Sequence, residues 1–189
     1  MKKIKNLIIG SGFSSFIYFN SSTKRHTIFS EKSNRVQKSG NFYEYNTIGG
    51  NSNIWGGYIN IKRHNKFLKN RKYKKFIKKK IFHIKEIFEK DSIFSNTHCI
   101  VDKNDQVLRV QQKYFKSDLK VKKIEKIIIK KKELKISADN EIYKIEKLVL
   151  CIGNLNLINL LYKSDLIFPN DIISYDDGEC SYVVNFLID

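Results

Sequence analysis

The sequence predicts an α/β fold with a parallel sheet, helices and a small β-meander. Three observations predict it. Two short, largely apolar runs, residues 4–9 and 147–152, each stop at a glycine, as buried parallel strands do. A stretch with helical spacing follows each of them. Between them, residues 118–145 alternate apolar and polar side chains, the period of antiparallel strands. The chain has 189 residues, one proline (Pro169) and no Pro/Gly/Ser-rich linker. That length suffices for one core, so residues 1–189 are expected to form a single domain.

Taken in order, residues 4–9 predict a first buried strand and residues 13–20 a short helix. Residues 27–30 predict a second strand with Glu31 at its end. Residues 41–60 are rich in Gly and Asn and are expected to be mostly loop. Residues 63–90 are dense in lysine, with Leu68, Phe76, Ile77, Ile81, Ile84 and Phe88 at near-helical spacing. That pattern predicts one or two amphipathic helices. Residues 121–129, 133–137 and 141–145 predict short antiparallel strands, 147–152 a further buried strand, and 155–164 a helix. After Pro169 only residues 181–187 suggest a strand.

Composition narrows the function classes. Apolar residues make up 41% and aromatics 13%, which excludes a disordered chain. There are 36 basic and 19 acidic residues, a net charge of +17. Such a balance raises nucleic acid or an anionic membrane as partners. The excess is lysine scattered along the whole chain, which serves solubility and non-specific attraction equally well. The run 72–80 mixes cations with aromatics, which suits phosphate or headgroup contact. A solvated helix face explains it as well. Nucleic acid is not the expected partner, and peripheral contact with an anionic membrane stays open. Cys99, Cys151 and Cys180 are odd in number and lack metal-ligand spacing. The opening apolar run ends at Gly10, too short for a signal-peptide core. No run approaches the roughly 20 apolar residues of a membrane helix. A reducing cytoplasm is the expected compartment.

The glycines carry the functional signal. Of nine in the chain, two lie in Gly10-Ser11-Gly12-Phe13-Ser14-Ser15, four in the stretch from Gly49 to Gly57, and one at Gly153. The first motif is a G-x-G-x-x-S pattern between strand and helix. Gly10 permits the tight turn, Gly12 lets a diphosphate approach the backbone, and Ser15 is small enough for helix–strand packing. A diphosphate would then sit on the helix N-terminus, where N–H groups and the helix dipole favour negative charge. Glu31 lies 21 residues after Gly10, where a carboxylate can accept hydrogen bonds from ribose hydroxyls. It also argues against a 2′-phosphorylated nucleotide, although Lys32 follows directly. A strand-to-helix turn without a ligand is the alternative reading.

The second motif, Gly49-Gly50-Asn51-Ser52-Asn53-Ile54-Trp55-Gly56-Gly57, surrounds the single Trp of the chain. Its bare amides are expected to reach phosphate or flavin edges, with Trp55 as an aromatic wall. A glycine-rich surface loop with a packing Trp is the alternative. The third motif, a buried strand ending at Gly153, is by itself ordinary α/β punctuation.

Together these motifs resemble the FAD-binding part of the glucose-methanol-choline (GMC) oxidoreductase superfamily and its FAD-dependent relatives. That family opens with the same strand, glycine turn, helix and ribose-binding acid. Its second signature is a Gly-Gly-Ser-Ser-like loop ending in Gly, which the stretch from Gly49 to Gly56 resembles. Trp55 replaces a frequent Asn, closer to the sugar-dehydrogenase and pyranose-oxidase-like branch. Its third signature is matched by Gly153, Leu155, Asn156, Leu160 and Leu161, while Leu157 and Ile158 replace Thr-Pro. The resemblance spans residues 3–164.

It implies a Rossmann-like FAD-binding domain of the glutathione-reductase type, with a meander between the third and last parallel strands. It implies FAD as cofactor, with Gly10, Ser11, Gly12, Phe13, Ser14 and Ser15 around the pyrophosphate and Glu31 on the adenosine ribose. Gly49, Gly50, Asn51, Ser52, Asn53, Trp55 and Gly153 would line the pyrophosphate and flavin, and the backbone of Val121 would meet the adenine. The implied chemistry is hydride transfer from an alcohol or sugar CH–OH group to flavin, the cofactor carrying the reaction.

The chain departs from the family in length. Family members carry a substrate-binding sheet domain and a C-terminal segment with the catalytic His, and no equivalent of either is expected within residues 1–189. His26, His64, His83 and His98 all precede the third motif and are expected to be packed or solvated rather than catalytic. No catalytic residue is named. The expected partners are a small-molecule substrate, or a second chain that completes the active site. A truncated, non-catalytic flavin- or dinucleotide-binding remnant is the main alternative. A basic nucleic-acid or membrane-surface binder, and NAD in place of FAD, are the others.

Overall fold

The computed structural model describes residues 1–32, 35–39, 42–53, 58–60, 83–90, 97–130 and 132–166. Strand β1 (Lys2–Ile9) starts exposed and ends fully buried at Leu7, Ile8 and Ile9. Its alternation builds two cores on opposite sides of the sheet. Ile8 packs with Phe16 and Ile17 of helix α1 (Phe13–Ser21). Leu7 and Ile9 join the opposite core. Strand β2 (Thr27–Ser30) repeats the division, with Ile28 in the first core and Phe29 in the second. Each such side chain stabilises the fold by about 1.5–3 kcal/mol.

Strands β3 (Arg35–Ser39) and β4 (Phe42–Asn46) form an antiparallel hairpin. A 3-10 turn follows at Gly50–Asn53. Strands β5 (Tyr58–Asn60), β6 (Phe88–Lys90) and β7 (Thr97–Val101) make a separate antiparallel sheet in the order β5-β7-β6. A second 3-10 helix, Gln112–Asp118, leads into strand β8 (Leu119–Val121). Its Phe115 is fully buried against the α1 side of the sheet, and Tyr114 stacks 5.4 Å from Phe16.

Strands β9 (Ile124–Lys130), β10 (Glu133–Ala138) and β11 (Glu141–Leu150) form the meander, and helix α2 (Asn154–Lys163) closes the described chain. The main sheet has the order β8-β2-β1-β11-β10-β9. Its first four strands are parallel, and β10 runs antiparallel to both β11 and β9. This is an α/β fold, as expected, with a βαβ unit at its start and a meander leading into the last parallel strand. Among the described residues no helix is long and apolar enough to cross a membrane.

Local chemistry fixes the meander. Asp139 and Asn140 take positive φ of 48° and 60°, the two-residue turn that suits a twisted hairpin. Glu141 accepts hydrogen bonds from Lys2 Nζ (2.5 Å), Tyr143 Oη and Lys122 Nζ (3.2 Å). These donors, Lys2 first, hold its carboxyl down at about 2. On the other side, Ser164 Oγ accepts from Ile127 N–H at 2.8 Å and donates to Leu160 O at 2.6 Å. That buried hydroxyl docks the end of α2 on β9.

Several elements differ from the sequence expectation. Residues 41–60 are not mostly loop: they hold β4, a 3-10 turn and β5. The run Phe42-Tyr-Glu-Tyr-Asn46 has the aromatic content of a strand, hidden by its Gly and Asn surroundings. The expected strands 141–145 and 147–152 are one strand, β11. It pairs with β1 from Lys2↔Tyr143 to Ile9↔Leu150. The charged Glu146 and Lys147 read as a break, but both are exposed and the backbone runs on.

The expected strand 121–129 is interrupted at Lys122 and Lys123. There Lys122 N–H donates to Ser30 O (3.0 Å) and Lys123 N–H to Asp139 Oδ1 (2.9 Å), turning the chain from β8 into the meander. Of the predicted helices over 63–90, residues 61–82 lie outside the described residues, as does the lysine run 72–80. Residues 83–90 form a turn and then β6, not a helix. Ile87 N–H bonds Ile84 O, which buries both side chains with a turn alone. The expected strand 181–187 also lies outside the described residues.

Candidate functional site

The candidate site is the edge where the four parallel strands end. Ligands of open α/β sheets bind at this carboxyl edge. Gly10 leaves β1 with φ +105°. A β-carbon there would lie 2.1 Å from Cys151 O and 2.6 Å from its carbonyl carbon. Gly10 N–H donates to Phe29 O (2.8 Å), and Cys151 N–H to Ile9 O (2.7 Å). The fold itself therefore demands glycine at position 10, and the end of β11 seals the back of the turn. Gly153 lies just beyond, exposed, at the start of α2.

Gly12 is different. Its φ of −76° and ψ of −172° suit any residue. A β-carbon there would meet no atom nearer than Gly49 O at 3.9 Å. Among the described residues nothing requires a glycine here, so the bare position is open on their side. It caps α1 without a side-chain hydrogen bond, and the first turn holds no acidic residue. The helix N-terminus thus keeps its positive electrostatic character. Ser14 is exposed on this first turn. Ser15 is fully buried, and its Oγ has no hydrogen-bond partner.

The structure brings the second glycine motif onto the first. Gly49 forms a parallel β-bridge with Gly12, and its N–H donates to Ser11 O at 3.0 Å. Gly50 N–H donates to Thr47 O at 2.9 Å. Both amides are thus used inside the protein rather than offered outward, contrary to the expectation for this pair. Gly49 has φ +93°, and a β-carbon would lie 2.3 Å from Val110 O. Close backbone packing explains this glycine.

The loop is held by polar side chains. Ser52 Oγ donates to Gly49 O (2.7 Å) and accepts from Val110 N–H (3.0 Å). Asn53 Nδ2 donates to Ile48 O (3.0 Å) and Gly50 O (3.1 Å). Asn51 is exposed on the turn. Arg109 Nη1 donates to Ser52 O at 2.6 Å. Ser52 and Asn53 therefore shape the turn, and Asn51 is the member left on the surface. Trp55 lies outside the described residues.

Glu31 follows β2 on the same edge and is exposed. Val121 pairs with Ser30 across β2 and β8 and is 53% exposed, an apolar side chain beside Glu31. The backbone carbonyl of Ser30 is occupied by Lys122 N–H. Under the surface, Ser11 Oγ and Ser30 Oγ meet at 2.5 Å.

The described histidines do not gather here. His26 precedes β2, at the opposite edge of the sheet. It is buried, with Nε2 2.8 Å from Ser22 Oγ and Nδ1 unpartnered. Burial first, then Lys147 and Lys24, lowers its pKa, so it is a neutral packed side chain. His83 is exposed in a turn and His98 lies on β7, while His64 is outside the described residues. Burial pushes the Cys151 thiol up to about 11, which leaves it protonated and inert.

Sequence reasoning missed Ser30, Arg109 and Val110, and it did not foresee that Asn156 Nδ2 donates to Asn46 Oδ1 (2.7 Å), which ties α2 to β4. Single polar residues beyond the glycine runs carry no local signal.

The described residues fit an adenine dinucleotide. An uncapped helix start, an open Gly12 and an orphaned buried Ser15 hydroxyl lie together at the turn. A carboxylate and an exposed valine lie one strand over.

No family model matches the chain, and no curated protein matches it. Among solved structures, the bacillithiol disulfide reductase Bdr (YpdA) of Staphylococcus aureus is 10% identical with a TM-score of 0.37, covering 81% of this chain and 39% of its own. A ferredoxin-flavin thioredoxin reductase of Clostridium acetobutylicum is 13% identical with a TM-score of 0.35, covering 81% and 38%. The open form of NikD, an unusual amino acid oxidase essential for nikkomycin biosynthesis, is 8% identical with a TM-score of 0.42, covering 86% and 54%. The chain thus spans between 38% and 54% of the length of these structures.

Proposed function

We propose that this chain binds FAD along the carboxyl edge of its parallel sheet and is the flavin-binding part of an oxidoreductase. The observation that carries the proposal is the contrast among its glycines. A β-carbon on Gly10 or Gly49 would lie under 2.5 Å from a backbone oxygen, whereas among the described residues nothing requires Gly12 to be bare. A glycine that the fold does not need, at an uncapped helix N-terminus, suits a ligand with a diphosphate.

In this reading the turn from Gly10 to Ser15 holds the pyrophosphate, Glu31 the adenosine ribose and Val121 the adenine. The loop from Gly49 to Asn53 buttresses the turn through the Gly12–Gly49 bridge, and Trp55 and Gly153 flank the flavin arm. Bound flavin would supply hydride acceptance from an alcohol or sugar CH–OH carbon, the chemistry of the GMC superfamily that the three glycine motifs resemble. The residues named here bind and orient; none of them is assigned the proton of the donor hydroxyl. A small-molecule donor, or a second chain that contributes the base, completes the proposal. Cys99 and Cys151 are both free thiols, which supports a reducing, cytoplasmic setting.

One observation favours a narrower reading, a dinucleotide-binding chain without turnover of its own. His26, the histidine with a defined packing environment, lies at the edge away from the glycine turns, and the site's described side chains are Ser and Asn with Phe13, Arg109, Val121 and Glu31, groups suited to binding. Visible absorption of the purified protein, with and without added FAD, tests the proposal. Retained flavin absorbance supports binding, and dye reduction with an alcohol or sugar donor supports the enzyme. Colour without turnover supports the narrower reading, and no flavin uptake refutes both.

A further inference from the structure

Two hydroxyls sit between the glycine turn and the end of β2, and neither packing nor the backbone requires them. Ser11 Oγ and Ser30 Oγ are 2.5 Å apart, and each residue is only 4% exposed. Ser30 Oγ also lies 3.2 Å from Glu31 O, to which it donates. A hydroxyl has one proton to give. With the Ser30 proton directed at Glu31 O, Ser11 must be the donor to Ser30. The result is a directed chain: Ser11 O–H to Ser30 O–H to the Glu31 carbonyl.

The two segments are already joined by Gly10 N–H to Phe29 O. What the hydroxyl chain adds is a hold on the peptide of Glu31, the residue that leaves the strand. Alanine would fill nearly the same space, so the hydroxyls themselves are what these positions supply.

We infer that Ser11 and Ser30 form a clasp of two positioning residues. It fixes Glu31 relative to the glycine turn, so that the carboxylate offered to the adenosine ribose and the turn offered to the diphosphate keep one spacing. This rests on the FAD-binding reading above. The two hydroxyls, on residues each 4% exposed, meet each other and act on the ligand through Glu31, while the backbone of Ser11 remains part of the turn that holds the pyrophosphate. Removing the Ser30 hydroxyl alone strands the Ser11 proton in the interior, which costs stability whatever the function. Removing both leaves only the carbonyl of Glu31, an exposed residue where water can replace the bond, and is close to neutral for folding. The Ser11→Ala/Ser30→Ala double variant therefore separates positioning from stability.

The test is a double-mutant cycle on FAD affinity, measured by fluorescence titration, with thermal unfolding of the ligand-free proteins alongside. Glu31→Gln is expected to weaken FAD binding by about tenfold in the otherwise unchanged protein. In the double-serine background the same change is expected to cost less than about threefold, because an unclasped Glu31 already binds poorly. Ser11→Ala/Ser30→Ala alone is expected to lower affinity while its unfolding transition stays close to wild type. Unchanged affinity in the double-serine variant, or losses that simply multiply, overturn the clasp and leave the FAD reading standing. Wild-type protein that takes up no FAD overturns the FAD reading and the clasp together.

Discussion

Gly12 and Gly49 face each other across a parallel β-bridge, and the Gly49 N–H reaches past to Ser11 O at 3.0 Å. Two glycine motifs 37 positions apart in the sequence thus form one structural unit. The glycines within it serve different ends, and substitution separates them.

Gly10 and Gly49 belong to the fold. Alanine at either would carry a positive φ and drive a β-carbon to 2.1 Å from Cys151 O or 2.3 Å from Val110 O. Gly10→Ala and Gly49→Ala are each expected to cost at least about 2 kcal/mol, from backbone strain and the shift the clash forces. Urea unfolding checks this. A midpoint equal to wild type in either variant would mean that the turn is looser than described.

Ser52 is expected to matter as much as the glycines beside it. Its hydroxyl joins Gly49 O to Val110 N–H, both in the interior. Ser52→Ala leaves the buried Val110 N–H unpaired, at about 1–3 kcal/mol before local rearrangement, while Gly49 O keeps the Ser52 backbone N–H at 3.1 Å. Ser52→Thr keeps the hydroxyl and should recover part of the loss in the same unfolding measurement. Equal destabilisation by both substitutions would point to crowding rather than to the hydrogen bonds.

Much of this was legible in the sequence. The runs ending at Gly10 and Gly153, and the spacing from Gly10 to Glu31, marked the strands and the site edge, because buried parallel strands are apolar on both faces. The pleated period marked the meander. The partner relations were not legible. Nothing local says that Gly49 lies on Gly12, that Ser30 meets Ser11, or that Arg109 holds Ser52, since each depends on the return of a distant segment. The reading also erred where one signal masked another. Gly and Asn around Phe42–Asn46 hid a strand, and the charges of Glu146 and Lys147 split one strand into two.

Acid sensitivity should arise from His26, away from the site. Burial lowers its pKa below the ordinary 6.5, so the unfolded chain binds its proton more readily than the folded one. The neutral packed ring stabilises the fold fully above pH 6.5, and that contribution is lost as pH falls toward the lowered folded value. Urea unfolding at pH 7.5 and pH 5 is expected to show a loss of stability in wild type that shrinks in His26→Gln. The same loss in both proteins would assign it to other groups.

The most direct measurement is an equilibrium titration of FAD into wild type and Gly12→Val side by side. Among the described residues the valine β-carbon meets no atom beyond its chain neighbours closer than 3.9 Å, so the fold should stay within about 1 kcal/mol, the scale of an altered helix cap. If a diphosphate occupies the open face of Gly12, wild type saturates with flavin and Gly12→Val takes up none, while both keep one cooperative unfolding transition. Equal uptake by the two proteins, or uptake by neither, would leave that open face without its ligand.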